Sequence, residues 1–249
     1  MGKMGNGYGS EFHLRSYLGY RQSELNRAVE KETGGRVIEW LDCAAGGEGK
    51  LNREWKGVDF VDAASDVKSA WVKFWPQTGN VPNWDAVGRL ESNSGKEYLL
   101  VEAKAHTEEL RSSCSAKKAK KEAGSDEIRD GLKATKAGGL EKITDALKAT
   151  TNANGFTADV GDWLSPYYQY ANRLAHLHFL VENGIPARLV FIYFWGDNWG
   201  VKKLSNGKPP NCPKEAQQWD AYLKDVHERL GMNGHSKLEQ RVHSLFLSV

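Results

Sequence analysis

The sequence predicts an α/β protein in which a mixed central sheet is flanked by helices, and three observations carry that expectation. Apolar residues recur at helical spacing in residues 11–31 (Leu14, Leu18, Leu25, Val29) and again in residues 162–183. Residues 36–43, 81–90, 97–105 and 187–195 read as strands, and Leu189 to Phe194 is an unbroken apolar run suited to a strand buried on both faces. The two kinds of segment alternate through most of the chain, the pattern of one layered domain spanning residues 1–249.

Each element has local signals. Ser10 stands at the expected N-cap of the first helix, and Gly34-Gly35 stops it. Residues 44–50 form a glycine-rich loop, and residues 66–74 a helix ended by Pro76. The turn formers Ser92-Asn93-Ser94-Gly95 join the strands 81–90 and 97–105 into a hairpin. Residues 106–160 are polar and rich in Lys, Ala and Gly, an insertion expected to hold one or two exposed helices, with residues 115–125 its most mobile part. Residues 214–230 are an amphipathic helix and 242–249 a last short strand.

Composition bounds the function. At 249 residues, 40% hydrophobic and 27% charged, the chain can bury a substantial core. A net charge of +2 permits a nucleic-acid partner only through a local basic footprint. Cys43, Cys114 and Cys212 are odd in number and far apart, which predicts free thiols and a cytoplasmic location. No apolar run is long enough for a membrane span, and the glycine-rich start lacks a signal region. The spacing of a Walker A loop is incomplete, since Glu97 follows Gly95-Lys96.

The chemistry gathers in the hairpin. Counting back equally along both strands from a turn at Asn93-Ser94 places Asp85 opposite Glu102, with side chains about 5 Å apart at Cβ. Lys104 is two residues beyond Glu102 and shares its face. Two carboxylates at that distance repel, in a strand otherwise as apolar as Leu99-Leu100-Val101. A hard divalent cation, Mg²⁺ or Mn²⁺, would neutralise them, with the Ala103 carbonyl as a further ligand. Lys104 would then orient or deprotonate the attacking water, or stabilise charge on a phosphate.

Asp85 followed by Glu102-Ala103-Lys104, on a hairpin after an N-terminal helix, resembles the signature of the PD-(D/E)XK nucleases. The proline of that signature is missing, since Trp84 precedes Asp85 and the nearest proline is Pro82. The resemblance covers roughly residues 10–195 and implies the restriction-endonuclease-like αβββαβ core. It also implies a metal-dependent nuclease, with nucleic acid, DNA in the first place, as the partner. Members often carry an extra acid on the first helix; Glu11 extends the apolar stripe of that helix and is the candidate, with Glu24 better explained as a partner of Arg21 and Arg27. The second core helix often carries a glutamine beside the site, so Gln169 and Arg173, with Asn172 and His176 on the same stripe, look like phosphate or metal-water contacts. A solvated helix face would look the same.

Lys117 and Lys118, in a locally basic segment, are further candidates for phosphate contact, although nearby acids such as Asp126 and Glu127 dilute the charge. Two other readings stay open. One is a nucleic-acid-binding protein with the fold but no catalysis. The other is an unrelated α/β protein in which Glu102 and Lys104 form a structural salt bridge. The oligomeric state is not legible, a homodimer included.

Overall fold

A computed structural model describes residues 8–41, 55–62, 65–77, 81–115, 130–198 and 207–249, and of residues 65 and 130–138 only the backbone. Cys43, the end of the strand expected at 36–43, the loop 44–50 and the lysines at 117, 118, 120 and 121 lie outside the described residues.

Five strands form a mixed sheet. They are β1 (Arg36–Trp40), β4 (Ala86–Ser92), β5 (Gly95–Lys104), β6 (Ala187–Trp195) and β7 (Val242–Ser248), side by side in that order. β1, β4 and β5 are antiparallel neighbours, whereas β5, β6 and β7 run parallel. Two short strands, β2 (Trp55–Lys56) and β3 (Asn83–Trp84), pair separately. The β4–β5 hairpin has the expected register: Ser92 faces Gly95 and Ala86 faces Val101.

Because strand side chains alternate, the sheet feeds two cores. Leu99, Val101, Ala103, Val190, Ile192 and Phe194 pack with Leu14, Tyr17 and Leu18 of α1 (Ser10–Tyr20) and Leu25 and Val29 of α2 (Gln22–Thr33). On the other face Val87, Leu100, Phe191 and Tyr193 pack with Trp71 and Trp75 at and after α3 (Ser65–Phe74), and with Leu147 of α4 (Asp130–Asn154). A short α5 (Val160–Leu164), α6 (Tyr168–Glu182) and α7 (Asp220–Arg229) complete that layer.

Four expectations about the elements are corrected. The helix expected over 11–31 is two helices, broken at Arg21. α1 then lies on β5 while α2 reaches β1 and β7, which one straight rod would not do. Ser10 is no N-cap: Gly9 holds that position, and the Ser10 hydroxyl donates to Glu109 Oε1 at 3.0 Å. The helix expected over 162–183 is broken at Ser165-Pro166, because proline lacks an N–H and drives its predecessor into extended backbone. Lastly, α4 is no wholly exposed insertion. Ile143, Ala146 and Leu147 are buried, and the helix packs on α6.

A buried ion cluster ties the layers together. Glu97 is 3% exposed and accepts from Arg188, Arg241 and Ser92. Burial alone would raise its pKa, yet the hydrogen bonds and charge of Arg188, the Ser92 bond and the charge of Arg241 hold it below the usual carboxylate range.

Candidate active site

The site lies where β4 begins and β5 continues past it. The last ladder pair is Ala86 with Val101, but the Asp85 N–H also donates to the Val101 carbonyl, at 3.1 Å. Two residues of one strand therefore oppose one of the other, the arrangement of a β-bulge, and bulges re-aim side chains. Asp85 consequently is not a ladder partner of Glu102 as the count along the hairpin expected. Its Oδ2 instead accepts the Ala103 N–H at 2.7 Å. An extended residue points its N–H and C=O to the same side, so the Ala103 carbonyl also faces Asp85, beyond the end of the ladder.

Glu102 and Lys104 are buried at 1% and 7% exposure on the face of β5 that meets α6. Glu102 Oε1 accepts from Lys104 Nζ, which also donates to Gln169 Oε1 at 2.9 Å. Glu102 Oε2 accepts from Arg173 Nε at 2.7 Å, and Arg173 Nη2 lies at 2.6 Å from the same oxygen. Burial would raise the Glu102 pKa, but the charges of Arg173 and Lys104 hold it below the ordinary value. Burial would likewise lower that of Lys104, and Glu102, Asp85 and Glu109 outweigh it, so the ammonium stays charged. Asp85 is open to solvent on one side and walled by protein on the other. Lost hydration on the walled side, then repulsion from Glu102, push its carboxyl up to about 7.

A cavity of about 450 Å³ opens over Asp85, with Asn83, Ser113, Tyr168, Gln169, Asn172 and Arg173 in its wall. The structure thus brings Asp85, Glu102, Lys104, Gln169, Asn172 and Arg173 to one place. It does not bring Glu11 there. Glu11 is turned to solvent, with its side chain 59% exposed and paired to Arg15 at 2.6 Å. The physical reason is the layering: α1 covers the sheet face of Val101 and Ala103, opposite to that of Glu102 and Lys104. Glu24 pairs with Arg21 on the surface, as expected.

The polar stripe of α6 is no solvated face. Asn172, Arg173 and His176 are 5%, 3% and 0% exposed. Arg173 is consumed by the protein: besides Glu102 it donates to Asn172 Oδ1 and to the Asn83 carbonyl, and its guanidinium lies 4.9 Å from the Trp84 ring centre. This corrects the expectation of a phosphate contact from Arg173. His176 sits under Trp71, Trp75 and Trp84 with Nδ1 on the Asn172 carbonyl, and burial pushes its pKa down to about 3. Sequence reasoning also missed Ser113 and the Asn83 carbonyl, for which only their nearness to Cys114 and Asp85 was a signal.

Oxygen donors of this kind suit a hard cation. Among the described residues no cluster of three His, Cys, Asp or Glu side chains is arranged to hold a metal ion. A cation here would therefore have Asp85, one oxygen of Glu102, the Ala103 carbonyl and water, the water-rich environment that Mg²⁺ tolerates. No described helix is long and apolar enough to cross a membrane. Compared with protein-family models, with curated proteins and with solved structures, the chain finds no match.

Proposed function

We propose that the chain is a metal-dependent nuclease of the PD-(D/E)XK kind, hydrolysing phosphodiester bonds of nucleic acid, with DNA the substrate to test first. The observation that carries this reading is the convergence of Asp85, Glu102 and Lys104 at the rim of an open polar cavity. The order of elements supports it: helix, three antiparallel strands, helix, parallel strand is the αβββαβ order of that superfamily.

Asp85 and Glu102, with the Ala103 carbonyl, would hold Mg²⁺ or Mn²⁺, which supplies Lewis acidity to the phosphate and its nucleophilic water. Lys104, kept charged by its neighbours, stabilises negative charge building on the phosphate rather than taking a proton. Gln169 holds the Lys104 ammonium from the far side. Asn172 and Ser113 offer neutral hydrogen-bonding groups in the cavity wall, suited to phosphate oxygens.

One observation favours a second reading. Both oxygens of Glu102 are paired with cations, as in a structural salt-bridge cluster. A structural cluster has no use for Asp85, a further carboxylate left facing a cavity. The test is a cleavage assay on plasmid, linear and single-stranded DNA, and on RNA, with Mg²⁺ or Mn²⁺ and with excess EDTA. Cation-dependent cleavage of any of these supports the nuclease reading; no cleavage of all four, by folded protein, supports the structural one.

A further inference from the structure

We infer that Arg173 is the positioning residue of the carboxylate pair: it clamps the strand that leads into Asp85 to the carboxylate of Glu102, and leaves Glu102 a single oxygen for a cation. The catalytic consequence rests on the nuclease reading above; the clamp itself does not.

The geometry is that of a fork closed on two strands at once. Arg173 Nε and Nη2 take Glu102 Oε2, at 2.7 and 2.6 Å. Nη2 also takes the backbone carbonyl of Asn83, at 2.6 Å, two residues before Asp85. The guanidinium face lies over Trp84, the residue directly before Asp85. Asn172 Oδ1 fixes Nη1 at 2.9 Å, which sets the rotation of the fork. The side chain is 4% exposed, so it acts on its protein partners and not on a ligand filling the cavity.

The consequence follows from counting oxygens. Arg173 holds Oε2, whereas Oε1 is held only by Lys104, whose other partner is the neutral Gln169. A cation approaching from Asp85 therefore meets Oε1, with the Lys104 ammonium beside it. Without the clamp, Asp85 sits on a bulge no longer tied to β5 except through the Ala103 and Val101 backbone. Lysine cannot replace the arginine, because a point charge lacks the fixed fork that joins a carboxylate, a carbonyl and an aromatic face.

The test compares wild type, Arg173→Lys and Asn172→Ala. Mn²⁺ affinity is measured by titration calorimetry, kcat and KM on a cleaved DNA, and melting in EDTA checks folding. Residues that orient metal ligands are worth roughly 10–100-fold in affinity or rate. Arg173→Lys should thus melt cooperatively, bind Mn²⁺ weaker by about that factor and lose kcat similarly, with KM for DNA nearly unchanged. Asn172→Ala, which loosens the fork but keeps the arginine, should shift Mn²⁺ affinity the same way by less. It also decides the matter should Arg173→Lys not fold. Adding methylguanidinium to Arg173→Ala should restore part of the Mn²⁺ affinity. Wild-type Mn²⁺ affinity in both folded variants, or a change confined to KM, overturns the assignment while leaving the nuclease reading intact. A wild-type protein that neither binds Mn²⁺ nor cleaves defeats both.

Discussion

Asp85 has its Oδ2 on the Ala103 amide and its remaining charge facing Glu102 across the mouth of the cavity. Asparagine keeps the oxygen that accepts the Ala103 N–H and removes the charge. Asp85→Asn should therefore fold and melt normally in EDTA, yet lose the cation-induced rise in melting temperature seen with wild type. A variant stabilised by Mg²⁺ as much as wild type would take Asp85 out of the cation site. At this scale the sequence was legible for Asp85, Glu102 and Lys104, because strand periodicity and turn chemistry are local. The orientation of Asp85 was not legible, since a bulge depends on how two strands end. Nor was the role of Arg173: a cation on a helix has the same spacing whether it faces water or a carboxylate.

The helix α6 shows what element-scale reading misses and why. Its period marked Gln169, Asn172, Arg173 and His176 as one stripe, but only packing decides that the stripe lies against β5 and three tryptophans. The buried His176 has a measurable consequence. Its folded pKa of about 3 lies below the ordinary 6.5, so the folded state binds a proton less readily than the unfolded state. The stabilising contribution is full above pH 6.5 and is lost as pH falls toward 3, at up to roughly 1.4 kcal/mol per pH unit. His176→Leu should flatten the decline in melting temperature between pH 6.5 and 4.5; parallel declines in the two proteins would refute the buried neutral imidazole. The packing of α4 on α6 is tested in the same way. Leu147 is fully buried, and Leu147→Ala should cost about 2–5 kcal/mol in denaturant unfolding, where a leucine on an exposed insertion would cost almost nothing.

Over the whole molecule, the sheet separates a core that carries the site from a core that supports it. The α/β class and the hairpin register were legible because alternation along β5 and the apolar run of β6 are strong, local patterns. The helix breaks at Arg21 and Pro166 and the layering that sends Glu11 away from the site belong to tertiary structure. The layering makes the site a junction of β3, β4, β5 and α6, so a bound cation should hold those elements together. Mg²⁺ should raise the melting temperature of wild type, by about 2.7 kcal/mol of added stability at a hundred times its Kd. An unchanged melting temperature at saturating Mg²⁺ would count against any cation at this junction.

The central claim is that Lys104 acts on the reacting phosphate and is not merely the partner of Glu102. The measurement is the Mg²⁺-dependent cleavage rate of Lys104→Ala beside wild type, on the same DNA, with melting curves and Mn²⁺ binding recorded for both. The account predicts a folded protein that still binds Mn²⁺ and cleaves more slowly by a factor of roughly 10²–10⁴. A folded Lys104→Ala protein cleaving at the wild-type rate would contradict it.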